Sequence, residues 1–141
     1  MIELPDESAR EIRRHGRAVY GDEACGVMYG HVTPPGYRVV VRVEAMRNAR
    51  GDERHRRFIV TPEDYRRAEE EAERYGQTLL GFYHSHPDHP AFPSDYDLAH
   101  AFPFFSYVIL SVERGEPSDM RSFVLAEDRS EFLEEAIQRK E

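Results

Sequence analysis

The sequence predicts an α/β (α+β) fold in which strands and helices interleave in the order α-β-β-β-α-β-α-β-β-α. Two observations carry this. Stretches such as "YRVVVRVEAM" and "SYVILSV" have the β-branched and aromatic composition, and the length, of strands. Between them lie segments whose apolar residues recur three and four positions apart, bounded by helix-start and helix-stop residues. Strand pairing does not follow from these patterns.

The first helix is expected over residues 6–20, with Ala9, Ile12, Gly16 and Val19 along one face. "ACGVMYGHV", 24–32, reads as a buried strand, and 37–46 as its partner across the turn "TPPG". "RFIV", 57–60, is a short strand. At "TPED" a helix opens: Thr61 caps it, Pro62 suits its first position, and Asp64 reaches back to close the cap. Tyr65, Ala68, Ala72 and Tyr75 form its apolar stripe, and Gly76 ends it. "TLLGFYHSH", 78–86, is a strand that runs straight into a group of histidines. A short helix from about Ser94, strands at 106–112 and 120–126, and a C-terminal helix around Phe132 to Ile137 complete the pattern. No repeat or linker interrupts it, so residues 1–141 are read as one domain.

Composition narrows the function. A net charge of −8 argues against nucleic acid as the main partner, because binding phosphates needs a basic face. One local exception, "RNARGDERHRR" at 47–57, reads as a solvated loop or an anion-binding site. Cys25 is the only cysteine, which excludes an intrachain disulfide and a cysteine-rich zinc site. The opening "MIELPDESARE" has neither the basic nor the apolar region of a signal peptide, and no apolar run is long enough to span a bilayer. The expectation is a cytoplasmic protein without a membrane partner, either monomer or homodimer.

The informative stretch is "GFYHSHPDHPAFPSDYDLAH", residues 81–100. Imidazoles and carboxylates are the donors a borderline metal such as zinc prefers. Two donor sets are conceivable. His84, His86, Asp88 and His89 match H-x-H-x-D-H, the signature of the metallo-β-lactamase fold. That fold is much longer and takes further ligands downstream, whereas His100 is the only later histidine here. The other set is His84 and His86 with Asp97. Residues i and i+2 of a strand share a face, so the two imidazoles can converge on one ion. A helix starting near Ser94 would present Asp97 from its first turn, leaving a fourth coordination position for water. "SDYD" is also a plain capping-box pattern, which by itself would account for Ser94 and Asp97.

"HSHPDHPAFPSDYD" resembles the H-[S/T]-H-P-x6-S-x2-D motif of the JAMM (MPN-plus) zinc metalloproteases at every defined position. "EACGVMYG", 23–30, resembles the E-x-C-G segment that carries their catalytic glutamate. The likeness runs from about residue 5 to 126. It implies a curved mixed β-sheet with flanking helices, similar to cytidine deaminases, although deaminase zinc chemistry needs cysteines this chain lacks. It also implies roles. His84, His86 and Asp97 would bind one Zn2+ per chain, Glu23 would be the general acid/base, and Ser94 would hydrogen-bond the oxyanion or the attacking water. Spacing alone does not distinguish Glu23 from Glu44.

Relatives that cleave polyubiquitin carry insertions after the motif, whereas here Asp97 leads directly into "LAHAFPFFSYVILSV". The chain resembles the compact prokaryotic branch. The implied activity is cleavage, as a peptidase or isopeptidase, after the C-terminal Gly-Gly of a ubiquitin-like, β-grasp sulfur-carrier protein. The alternatives are a deubiquitinase-like isopeptidase, a non-catalytic MPN binding scaffold, and a hydrolase using Cys25 as nucleophile with a histidine partner.

Overall fold

The computed structural model of the chain describes residues 1–47 and 60–141. Its elements run β1 (Ile2–Pro5), α1 (Asp6–Ala18), β2 (Cys25–Thr33), β3 (Tyr37–Met46), α2 (Pro62–Arg74), β4 (Thr78–Pro87), α3 (Asp95–His100), β5 (Ser106–Glu113), β6 (Glu116–Leu125), β7 (Phe132–Glu135) and β8 (Ile137–Lys140). The strand expected over 57–60 and the arginine-rich stretch 47–57 lie outside the described residues, apart from Arg47 and Val60.

Among the described residues all strands belong to one sheet, in the order β7-β6-β5-β4-β2-β3-β1-β8. Its two edge strands, β7 and β8, are separated in the chain by Ala136 alone. The sheet therefore curls until its edges meet, giving a near-closed mixed sheet with helices against it. Polar bonds draw the curl together: Glu135 Oε2 accepts from Ser106 Oγ at 2.6 Å and Ser122 Oγ at 2.7 Å. Arg38 on β3 donates to Ser106 Oγ on β5 at 2.6 Å.

The C-terminal helix is a correction. Residues 132–140 form β7, antiparallel to β6, and β8, parallel to β1. Leu, Glu, Ala, Gln, Arg and Lys favour helix locally. Two open sheet edges outweigh that preference, because each offers a full row of backbone hydrogen bonds and a hydrophobic face. Phe132 packs on Tyr107 and Phe123. Strand β1, not anticipated, is short but fully buried through Ile2 and Leu4.

Two apolar clusters sandwich the sheet. One joins Ala9 and Ile12 of α1 to Leu80, Tyr83 and Leu110; the other joins Ala68 and Ala72 of α2 to Val27, Leu79 and Phe82. The β4 register explains how one strand serves both. Opposite β2 the pairing jumps from Tyr29↔Leu79 to Met28↔Gly81, a bulge that inserts one residue. A bulge reverses which side chains face which side beyond it. Past the bulge, Phe82, His84 and His86 share the α2 face, and Tyr83 and Ser85 face α1. Gly81 permits the close approach of β5: a Cβ there would lie 1.9 Å from the Ser106 carbonyl oxygen.

Candidate metal centre

The centre is built at the carboxyl end of β4, where the chain leaves the sheet to cross over through α3 to the parallel strand β5. His84 and His86 project from one face of the strand and are 3% and 8% exposed. Asp97 arrives from the first turn of α3. That turn is set by a capping box: Ser94 Oγ accepts the Asp97 N–H at 3.0 Å, and Asp97 Oδ2 accepts the Ser94 N–H at 2.9 Å. The capping reading of "SDYD" is therefore correct, and it is compatible with the metal-ligand reading, since the box is what aims the carboxylate toward the histidines.

The three side chains converge. His84 Nε2 and His86 Nε2 are 3.2 Å apart, His86 Nε2 lies 3.2 Å from Asp97 Oδ2, and His84 Nε2 lies 3.4 Å from Asp97 Oδ1. Four ligands about a zinc at roughly 2.0–2.1 Å sit about 3.3–3.4 Å from one another. The two imidazole nitrogens have the spacing of two corners of such a tetrahedron, the Asp97 carboxylate approaches them with one oxygen each, and the cluster is able to hold a metal ion. His86 Nδ1 lies 2.9 Å from the Pro90 carbonyl oxygen, which only accepts. The contact fits a His86 that carries its proton on Nδ1 and turns the Nε2 lone pair toward the centre, the tautomer that ligation through Nε2 requires.

The electrostatics agree. Burial disfavours a charged His84, but the Asp97 carboxylate outweighs it and holds the His84 pKa above its ordinary value. Burial would raise Asp97, yet the His84 charge and the hydrogen bonds from His84 and the Ser94 N–H hold it far below the usual carboxylate range.

Glu23 lies just ahead of β2. The β2–β4 register ends at Cys25↔His84, and the next contact is a clasp: Ala24 N–H donates to Ser85 Oγ at 2.8 Å, and Ser85 N–H to the Ala24 carbonyl at 3.0 Å. Continued two residues, that register sets Glu23 opposite His86. Glu23 is 8% exposed, and it lines a cleft of ≈ 920 Å³ together with His86, Ser94 and Asp97. Tyr20 and Phe92 form apolar walls of the same cleft. All five site residues expected from the sequence are therefore brought together.

The other readings do not assemble. Asp88 spends both carboxylate oxygens elsewhere, accepting from Tyr20 Oη at 2.5 Å and from the Arg114 N–H at 2.7 Å. Neither Asp88 nor His89 joins the converging donors, which removes the lactamase-like set. Cys25 is fully buried and its Sγ donates to the Met46 carbonyl; burial, then the nearby Glu23 and Asp64 carboxylates, push its pKa up to about 12. A thiol so held is not a nucleophile at neutral pH. Residues the sequence did not single out include Ser85, which faces away from the histidines, and Pro90, which acts through its backbone. No side-chain pattern signals either role.

Comparison with known proteins adds the following. A family model described as prokaryotic homologs of the JAB domain matches residues 5–126. The solution structure of protein DSY2949 from Desulfitobacterium hafniense superposes with a TM-score of 0.85 at 34% identity, covering 100% of this chain and 94% of that one. The solution structure of a protein from Salinibacter ruber gives 0.77 at 45% identity, covering 99% and 92%. A JAB1/MPN domain protein from Archaeoglobus fulgidus, AF2198, gives 0.57 at 15% identity over 99% and 95%, a likeness of fold. No curated protein matches in sequence. Among the described residues no helix is long and apolar enough to cross a membrane.

Proposed function

We propose, from the premise that this chain belongs to the prokaryotic homologs of the JAB domain, that it is a zinc-dependent peptidase or isopeptidase. Its proposed substrate is a ubiquitin-like sulfur-carrier protein, cleaved after the C-terminal Gly-Gly. The observation that supports this most is the convergence of His84, His86 and Asp97, with His86 and Asp97 on the wall of a cleft that also holds Glu23 and Ser94. Non-catalytic MPN scaffolds lack such a ligand set.

Zinc, when bound, supplies a Lewis acid that brings the pKa of its water toward about 7. The remaining work falls to the chain. Glu23, buried beside the ligands, takes the proton of the attacking water and hands it to the departing amine. Ser94 uses an oxygen lone pair for its cap, so its hydroxyl proton stays available to donate to the oxyanion as charge develops there. His86, fixed by Pro90, keeps its lone pair on the centre throughout. Tyr20 and Phe92 narrow the cleft, which suits an extended tail ending in glycines.

The test is elemental analysis of purified protein beside cleavage of a carrier extended beyond Gly-Gly, with and without a chelator. One zinc per chain and chelator-sensitive release of the extension are expected. A carrier whose penultimate glycine is replaced by a bulky residue should resist cleavage. Cleavage that ignores the chelator would sink the metallopeptidase reading, and unchanged cleavage of the bulky carrier would sink recognition by a narrow groove.

A further inference from the structure

We propose that Asp88 is a positioning residue of the metal centre: its carboxylate clamps the loop Asp88–Pro90 so that the Pro90 carbonyl holds His86 in its ligating tautomer. The inference rests on the reading of His84, His86 and Asp97 as metal ligands, and it concerns how one of them is kept in place.

The clamp is a set of bonds from three directions. Asp88 has left-handed backbone, φ 58°, which reverses the chain after β4. Aspartate is among the few residues with a side chain that enter this region readily. Its N–H donates to the Val112 carbonyl at 2.7 Å. Its Oδ1 accepts the Arg114 N–H at the β5–β6 turn at 2.7 Å, and its Oδ2 accepts the Tyr20 hydroxyl beyond α1 at 2.5 Å. One residue on, the His89 carbonyl accepts Ser111 Oγ at 2.6 Å. The following carbonyl, that of Pro90, is the one that receives His86 Nδ1–H at 2.9 Å. Pro87 and Pro90 fix their own φ angles, but neither sets the reversal between them nor the direction in which the Pro90 carbonyl points. The bonds to β5, to the β5–β6 turn and to Tyr20 do.

Partners that orient a ligating histidine commonly change metal affinity about 10- to 100-fold when removed. Asp88→Ala should therefore weaken zinc binding about tenfold, at the low end because it acts through the loop. Asp88→Asn tolerates the left-handed backbone and keeps an acceptor for Arg114, so it should stay close to wild type. Ser111→Ala leaves Asp88 intact but frees the His89 carbonyl, and should weaken binding in the same direction by less.

The experiment has two readouts. Long-range 1H–15N correlation of the metal-free protein at about pH 8, where imidazoles are ordinarily neutral, reads the His86 tautomer. Chelator competition reads zinc affinity. Wild type and Asp88→Asn should show His86 as Nδ1–H; Asp88→Ala and Ser111→Ala should show a mixture together with weaker binding. A folded Asp88→Ala with wild-type His86 signals and wild-type affinity overturns the clamp. If Asp88→Ala does not fold, Ser111→Ala decides alone by the same criterion. The tautomer arm needs no zinc and no substrate, so failure of the protein to bind zinc would count against the metallopeptidase reading while leaving the clamp to be judged separately.

Discussion

Helices α2 and α3 start alike and serve different ends. At α2, Thr61 Oγ accepts the Asp64 N–H at 3.1 Å and Asp64 Oδ2 accepts the Thr61 N–H at 3.0 Å. At α3 the same reciprocal pair is made by Ser94 and Asp97 at 3.0 and 2.9 Å. Thirteen-residue α2 buries Ala68 and Ala72 on the sheet, whereas six-residue α3 buries nothing. Helix α3 contributes little to packing; it presents one carboxylate to the end of β4. The capping motif is the same local chemistry in both places, and the neighbour decides whether its carboxylate also meets a pair of histidines.

That contrast can be broken outright. His84→Ala, His86→Ala and Asp97→Ala should each lose bound zinc and all hydrolysis, while Asp64→Ala keeps both, by elemental analysis and rates on one carrier substrate. Two tightly held zincs per chain in the wild type would mean that a different donor set is at work.

Glu23→Gln sharpens the division between holding the metal and using it. Zinc should stay at one per chain while turnover falls about 10²- to 10⁴-fold, the usual loss for an absent acid/base. Zinc loss in this variant would make Glu23 a ligand and undo the assignment.

Ser94→Ala and Thr61→Ala compare the caps directly. Each should lower stability by about 1 kcal/mol, the ordinary cost of a lost N-cap, read from urea unfolding. Only Ser94→Ala should also slow turnover, by about 10²- to 10³-fold, because Ser94 and not Thr61 lines the cleft, where its hydroxyl would serve as an oxyanion donor. Equal turnover in the two variants would reduce Ser94 to a cap.

The smallest effect concerns imidazoles on opposite faces of β4. Asp97 raises His84, whereas burial lowers His15, whose Nδ1 is 2.7 Å from the Tyr83 hydroxyl. A histidine with a lowered folded pKa leaves the unfolded chain binding more protons between that value and about 6.5. Its contribution is therefore intact above about 6.5 and lost as pH falls through that window. Urea midpoints measured down from about pH 7.5 should decline more steeply in the wild type than in His15→Gln; parallel profiles would show that His15 does not titrate differently on folding.

Both caps were legible in the sequence, because a capping box is closed by residues three apart and needs nothing distant. So were α1, α2 and the strands β2 to β6, whose periodicity records a buried face. The histidines could be paired on one face from their i, i+2 spacing alone. Glu23, by contrast, was picked out from Glu44 only by family resemblance; its place beside His86 depends on the β2–β4 register and on the Ser85 clasp.

What the sequence by itself determined about this protein is the set of local closures and the supply of imidazole and carboxylate donors. The tertiary structure decided which of them meet. Residues 132–140 carry helix-favouring side chains yet form β7 and β8, because the curled sheet offers them two edges that no local pattern announces. Asp88 and Asp97 are equally acidic on paper; one is drawn to Tyr20 and Arg114, the other to His84 and His86. The physical reason is the same in each case: a hydrogen bond within one turn depends on the residues in that turn, whereas an edge, a clamp or a metal centre depends on chain segments that only folding brings within about 3 Å of one another.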